Sequence, residues 1–455
     1  MSEGNHTVKN PTLLIVAVAL GVILNPLNTT MITVALPSIQ NDFQLTSKEI
    51  SWLIASYFII SAVCLPIIGR LSDYYGRKKL FLIGLLLVGV SSFLAPLSPN
   101  MPLLLGMRGI QAVGTSALYP CGIGMVRNYI EKNQHRVIAT LSVFATTSAA
   151  FGPTISGLLI QFGGWPVIFY VNFPVIIASA LLAMKYVPAD NRGEAKPYKW
   201  DFIGIFLFAA LMSCWMVFLL TLEEGLNIWM LMISIVVTFL FYFYEKKRSE
   251  PFINVVFLTK NLNVSLIYVQ YILATIIFFE MLLFMPTYFQ NVLMLDSKTA
   301  GMMMLSISVF AMLMTPIATR WTEFSGFRIP LLFGAFVGIV GVGLLFTANQ
   351  SSLLIWLFMI LAIIGISNGA LSIGSQNLLY SLVTKEQSGI ASGLLMTSRF
   401  LGNIFASSLF GVVFTSGITD GNKDIMTIVL LFVSFILLPG LLYITKKGST
   451  VTGNV

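Results

Sequence analysis

Long apolar runs recur along this chain from residue 12 to residue 445, and they constrain its fold more than any other feature. Each is close to the roughly 20 residues that a helix needs to cross the hydrocarbon of a bilayer. One such run could be an anchor or a signal peptide, but a series of this length makes lipid the main solvent. Inside lipid every backbone amide and carbonyl must be bonded internally, which leaves helices or a closed barrel. Barrel strands alternate apolar and polar residues over segments of about ten, and LLIVAVALGVIL and LFLIGLLLVGV do not alternate. The expected fold class is an all-α integral membrane protein, in keeping with 57% hydrophobic and only 10% charged residues.

The runs predict fourteen spans, with ends accurate to several residues. They lie near 12–37, 50–69, 80–97, 103–126, 137–160, 165–187, 201–221, 226–244, 262–290, 299–319, 329–347, 352–380, 387–415 and 425–445. Lys and Arg are retained on the cytoplasmic side of a membrane. With both termini cytoplasmic, all but five of the 26 basic residues fall on inner segments. Of those five, Lys48, Lys298 and Lys423 lie outside, while Arg108 and Arg399 lie within spans. The net charge of +8 is thus explained by topology and by anionic lipid headgroups, not by nucleic-acid binding. Cys64, Cys121 and Cys214 sit in apolar spans without paired spacing or a second ligand type, so neither disulfides nor a metal are expected. No small-residue cleavage site follows the first span, which is expected to be retained.

The longest polar linkers, 187–201 and 244–261, divide the helices as six, two and six. The expected organisation is an N-terminal bundle (12–187), cytoplasmic linkers with a two-helix insertion (188–261, spans 201–221 and 226–244) and a C-terminal bundle (262–445). Paired bundles joined through the cytoplasm suit a transporter built from parallel repeats, with its site near the midplane. The repeat is faint in sequence: GRLSDYYGRKK after the second span has only the echo TRWTEFSGFR after the tenth.

That loop, Gly69-Arg70-Leu71-Ser72-Asp73-Tyr74-Tyr75-Gly76-Arg77-Lys78-Lys79, crowds glycines, an acid and a basic cluster into one turn. It resembles the signature loop of the major facilitator superfamily. Arg108, Gln111 and Gly114 in MRGIQAVG look like the family's span-4 signature, with Ala112 where a glycine is usual. Gly152-Pro153-Thr154-Ile155-Ser156-Gly157 resembles its antiporter signature, with Ser156 replacing a glycine. WPVIFYVNFP (165–174), DFIG (201–204) and MPTYFQ (285–290) look like the fourteen-helix drug:proton antiporter branch. The resemblance implies a multi-pass cell-membrane exporter of lipophilic or cationic drugs, driven by protons, functional as a monomer among membrane lipids, and neither an enzyme nor a cofactor protein. It also implies a gating role for Gly69, Asp73, Gly76, Arg77, Gly152 and Pro153. The plainer reading of the loop is a positive-inside turn with no switching duty.

LNTTMITVALP (27–37) resembles the branch's span-1 signature, but Asn28 stands where an acid is usual. An amide cannot titrate, so proton coupling must use another group. Of the 18 acidic residues, all but one map to loops, span ends or the signature loop. The exception is Glu280, inside IIFFEMLLF, where insertion of a charge costs about 2.5–3.5 kcal/mol. Glu280 could exchange a proton, bind a cationic substrate, or form a static ion pair with Arg108 or Arg399. Arg108 could join Glu280 in a proton relay, bond Asn28, or serve helix carbonyls. Asp42 and Glu223, near outer helix ends, are further candidates for protonation.

Asn25, Asn28, Thr29 and Thr33 share a face of the first span, as do Asn368, Ser372, Ser375 and Gln376 in the twelfth. Such faces can glue helices together, whereas the resemblance makes them cavity lining. Tyr57, Gln111, Tyr119, Gln270, Phe279 and Phe284 are additional cavity candidates. The 35 Phe and 21 Met residues suit a broad apolar pocket, although most must be core or lipid-facing. Two other readings remain: export or flipping of an endogenous amphiphile such as a lipid or siderophore, and a membrane-embedded enzyme or sensor. For the last, His6 and His135 form no intramembrane cluster. No Walker-type phosphate loop is present, so ATP is not the expected energy source.

Overall fold

Asparagine and proline start several of the apolar runs as helices. Asn10 accepts from the Leu13 amide ahead of Pro11, Asn100 does the same for Leu103 ahead of Pro102, and Asn227 for Met230. The structure, a computed structural model, describes residues 10–130, 134–189, 201–221, 225–249, 251–253, 255–383 and 388–448. All regular structure among the described residues is helical. Eleven helical segments are long and apolar enough to cross a membrane. Three further long helices, Met101–Tyr129, Gln134–Gly163 and Ser388–Val413, stand outside that set. The first and last of these carry polar groups in mid-run, Arg108 with Gln111 and Arg399 with Asn403.

The helices group into two compact units, Met1–Phe43 with Ser56–Trp200, and Gln44–Ala55 with Asp201–Val455. The first unit contains α1 (Pro11–Val22), α2 (Leu24–Phe43), most of α3 (Ser47–Tyr75), α4 (Arg77–Leu94), α5 (Met101–Tyr129), α6 (Gln134–Gly163), α7 (Val167–Tyr170) and α8 (Asn172–Tyr186). Helices α1 and α2 together form the first membrane segment, interrupted at Ile23 just before Asn25 and Pro26. The second unit contains α9 (Phe202–Thr221), α10 (Ile228–Lys246), α11 (Val255–Lys260), α12 (Leu262–Asn291), α13 (Ser297–Ser325), α14 (Arg328–Leu344), α15 (Leu354–Leu382), α16 (Ser388–Val413) and α17 (Asp420–Gly448).

The packing order repeats. In the first unit α1 packs on α5, α6 and α8, α2 adds a broad interface with α6, and α4 packs on α5 and α8. In the second, α12 packs on α15, α16 and α17, and α14 on α15 and α17. Glycine spacing permits these approaches: a Cβ on Gly84 or on Gly114 would lie 2.8 Å from the other's carbonyl oxygen across α4 and α5. The two loops that looked alike in sequence share a device as well. Gly76 (φ 103°) precedes α4, Gly326 (φ 71°) precedes α14, and each is followed closely by an arginine at the helix start, Arg77 or Arg328.

The pair α9 and α10 packs together and, through α9, on α16. Asp201 caps α9 by accepting from the Gly204 amide at 3.0 Å and receives the Tyr244 hydroxyl at 2.7 Å. Arg248 lies 4.0 Å from the same carboxylate, and the Ile253 amide donates to Glu245 at 3.1 Å. Phe208 packs against Phe241 and Phe252, which closes the apolar side of this junction.

Candidate functional site

The first unit holds a buried polar network made entirely of neutral groups around one cation. Asn28 donates to the Leu24 carbonyl at 2.7 Å and to Asn172 Oδ1 at 3.0 Å, and Asn172 donates back to Asn28 Oδ1 at 2.8 Å. Gln111 donates to the same Asn28 oxygen at 3.0 Å, and both Gln111 and Asn172 donate to Ser92. Beside it, Tyr57 and Thr115 share a 2.7 Å hydrogen bond, and Asn25 donates to both. Arg108, only 2% exposed, donates from Nη1 to Gln111 Oε1 and lies with its guanidinium 4.4 Å from the centroid of the Tyr57 ring. Its Nε has no hydrogen-bond partner, and among the described residues it enters no ion pair.

The second unit holds the opposite case. Glu280, in the middle of α12, is 0% exposed and neither carboxyl oxygen has a hydrogen-bond partner. Its neighbours one turn away on the helix are Ile276, Ile277, Leu283 and Phe284, all apolar. A carboxylate there is a bare charge in an apolar interior, whereas the protonated acid is only a neutral polar group.

The other expected site residues divide into several situations. Thr29 donates to the Pro26 carbonyl in its own helix, and Thr33 to Thr30. Phe284 stacks on Phe414 with centroids 5.0 Å apart and neighbours Tyr288, whose hydroxyl reaches Asp420 at 2.6 Å. Gln270 is buried against the Gly440 backbone of α17. Phe279 is buried and Tyr119 half-buried. Asn368, Ser372 and Gln376 form a half-buried polar line along α15, where Ser372 meets the Tyr271 hydroxyl at 3.4 Å. Asp42, near the C-terminal end of α2, accepts from Trp165 Nε1 at 2.6 Å. Glu223 and the Asp73 side chain lie outside the described residues.

Around the signature loop, Gly69 lies within ordinary contact of Pro120. Arg77 donates to the Gly124 carbonyl and to Asn128 at 2.9 Å, while Lys78 donates to the Met184 and Val187 carbonyls at 2.9 and 2.6 Å. The basic cluster therefore ties α4 to the later turns of α5 and to the end of α8, where the last carbonyls lack helical partners and favour cations. Gly152 and Pro153 are buried in α6, and a Cβ on Gly152 would collide with Thr30 of α2.

Sequence reasoning missed Asn172, Ser92 and Thr115. Asn172 lies inside the WPVIFYVNFP motif, so an amide within an apolar run was the available signal. The sequence profile of the Major Facilitator Superfamily matches residues 18–407.

The chain belongs to the major facilitator superfamily. It is 38% identical over 427 residues to the uncharacterized MFS-type transporter YwoD of Bacillus subtilis, covering 93% of this chain and 94% of that one. The riboflavin transporter RibZ of Clostridioides difficile is 26% identical over 422 residues, 91% of each chain. The multidrug resistance protein Stp of Mycobacterium tuberculosis is 27% identical over 414 residues, 88% of this chain and 75% of its own. The major facilitator superfamily is a family of multi-pass membrane transporters, not of enzymes, and multidrug exporters are among this chain's relatives.

Proposed function

We propose that this major facilitator protein exports lipophilic, drug-like compounds, cationic ones among them, by exchange for protons. Glu280 carries the reading: a fully buried carboxyl with neither oxygen bonded in the middle of α12. Such a group is tolerated in an apolar interior chiefly as the neutral acid, and intramembrane acids mark proton and ion pathways. In the proposed cycle Glu280 gives its proton to the cytoplasm and is reprotonated from outside as substrate leaves, by alternating access of the two bundles. Asn28, which cannot titrate, supplies polarity and no proton. The same proposal takes the topology as fourteen spans in a six, two and six arrangement, with both termini cytoplasmic and the monomer as the working unit in the cell membrane. Arg77 and Lys78 latch the cytoplasmic ends of the first bundle's helices, with Asp73, Gly69, Gly76, Gly152 and Pro153 in the moving parts.

The resemblance to the multidrug resistance protein Stp supports drug-like substrates. The resemblance to the riboflavin transporter RibZ favours a second reading, in which the cargo is an endogenous small molecule or amphiphile. Reconstituted vesicles with an imposed pH gradient separate the two. Gradient-driven movement of a lipophilic dye with counter-flowing protons, lost in Glu280→Gln at unchanged protein level, is the expected result. Equal dye transport by wild type and Glu280→Gln would remove Glu280 from the mechanism, and lipid movement without dye movement would replace the drug reading with the second.

A further inference from the structure

We infer that Arg108 receives an acidic group of the transported compound, so that the substrates include amphiphiles bearing a carboxylate, zwitterions among them. This deepens the exporter reading and rests on it. A guanidinium stays charged at any accessible pH, and a charge buried without a partner is unfavourable by several kcal/mol. Its compensation has to come from somewhere.

The first unit supplies only neutral compensation, the Gln111 amide oxygen and the face of the Tyr57 ring, and no anion. None of the sequence stretches 12–37, 50–69, 80–97, 103–126, 137–160 and 165–187 contains an Asp or Glu. Asp42, near the C-terminal end of α2, accepts from Trp165, and no ion pair reaches Arg108 among the described residues. The network that the guanidinium does touch is neutral. Gln111 takes Nη1 and passes the chain of hydrogen bonds to Asn28, Asn172 and Ser92, all uncharged. Nε is left with no partner.

The neighbourhood fits an amphiphilic acid. Guanidinium matches the two oxygens of a carboxylate in plane and spacing. The Tyr57 ring lies under the guanidinium, 4.4 Å from its carbon to the ring centroid, and holds the cation in place without neutralising it. Because the Tyr57 hydroxyl is itself held by Thr115 and Asn25, the ring fixes the position of the guanidinium. Asn28 lies one side chain from the arginine, beyond Gln111, so an acid there would place a counter-charge nearby, and the amide provides none.

The test compares rhodamine B, which has a free carboxylate, with its ethyl ester, which has the same ring system without it. Binding to the purified full-length protein is read by fluorescence polarisation at near-neutral pH without a gradient, so the outcome does not depend on whether transport is proton-coupled. The free acid should bind at least about tenfold more tightly than the ester, the margin expected of one charge-assisted contact. Arg108→Gln should erase the difference, Arg108→Lys should keep part of it, and Asn28→Asp should reduce it by supplying an internal counter-charge. Equal or tighter binding of the ester by the wild-type protein overturns the inference whether or not any variant folds. So does displacement of rhodamine B by phosphatidylglycerol and not by the unlabelled acid benzoate, which would make Arg108 a lipid-headgroup site.

Discussion

Asn28 takes part in four hydrogen bonds with uncharged partners, so this point in the first unit is polar at every pH. Its role is visible only in part from the sequence. Asn28, Gln111 and Arg108 stand out as polar residues in apolar runs, but their partners Asn172 and Ser92 come from distant runs. Periodicity says which residues share a face and not which faces meet. Removing Asn172 takes the acceptor from one buried Asn28 N–H and leaves Gln111 as the only side-chain donor shown to Asn28 Oδ1 and Ser92. Asn172→Ala is therefore expected to cost about 1–2 kcal/mol, read as a lower midpoint of thermal unfolding in detergent. A variant as stable as wild type would mean that the network is not a structural element. Glu280 is the reverse case: its isolation was legible from the sequence, because one acid in a run of fourteen expected spans needs no partner to be conspicuous.

At the scale of helices, eleven of the apolar runs were legible because their length and hydropathy suffice to cross a bilayer, while α5, α6 and α16 stand outside that set. The interruption at Ile23 carries a sequence signal as well: Pro26 has no N–H for the Val22 carbonyl and its ring crowds that carbonyl, which breaks the helix one turn earlier. The internal repeat was nearly invisible in side chains, yet it persists in helix pairing and in Gly76 and Gly326, where a positive φ requires residues without a Cβ. Gly76→Ala should cost about 1–3 kcal/mol and loosen the hold of Arg77 and Lys78. Gly114→Val should cost about as much by driving a side chain into the Gly84 carbonyl. Gly106, helical with open space where a Cβ would stand, provides the contrast: Gly106→Ala should raise stability by about 0.5–1 kcal/mol. Thermal unfolding of the three variants checks the signs; a stable Gly114→Val would show that α4 and α5 pack less closely than described.

For the whole molecule, each unit buries an ionisable group that meets no opposite charge among the described residues, Arg108 in the first and Glu280 in the second. Family membership makes the chain a transporter, while the proposed coupling and cargo rest on those two groups. The Asp201, Tyr244, Arg248 and Glu245 cluster joins the start of α9 to the end of α10 and to the segment that leads into α11. If proton exchange runs through Glu280, then binding a cationic dye to the detergent-purified protein in weak buffer should expel a proton. The measurement is the pH change on adding dye: the wild-type protein should release protons in proportion to dye bound, and Glu280→Gln should bind dye and release none. Equal proton release by both proteins would contradict the assignment of exchange to this carboxyl.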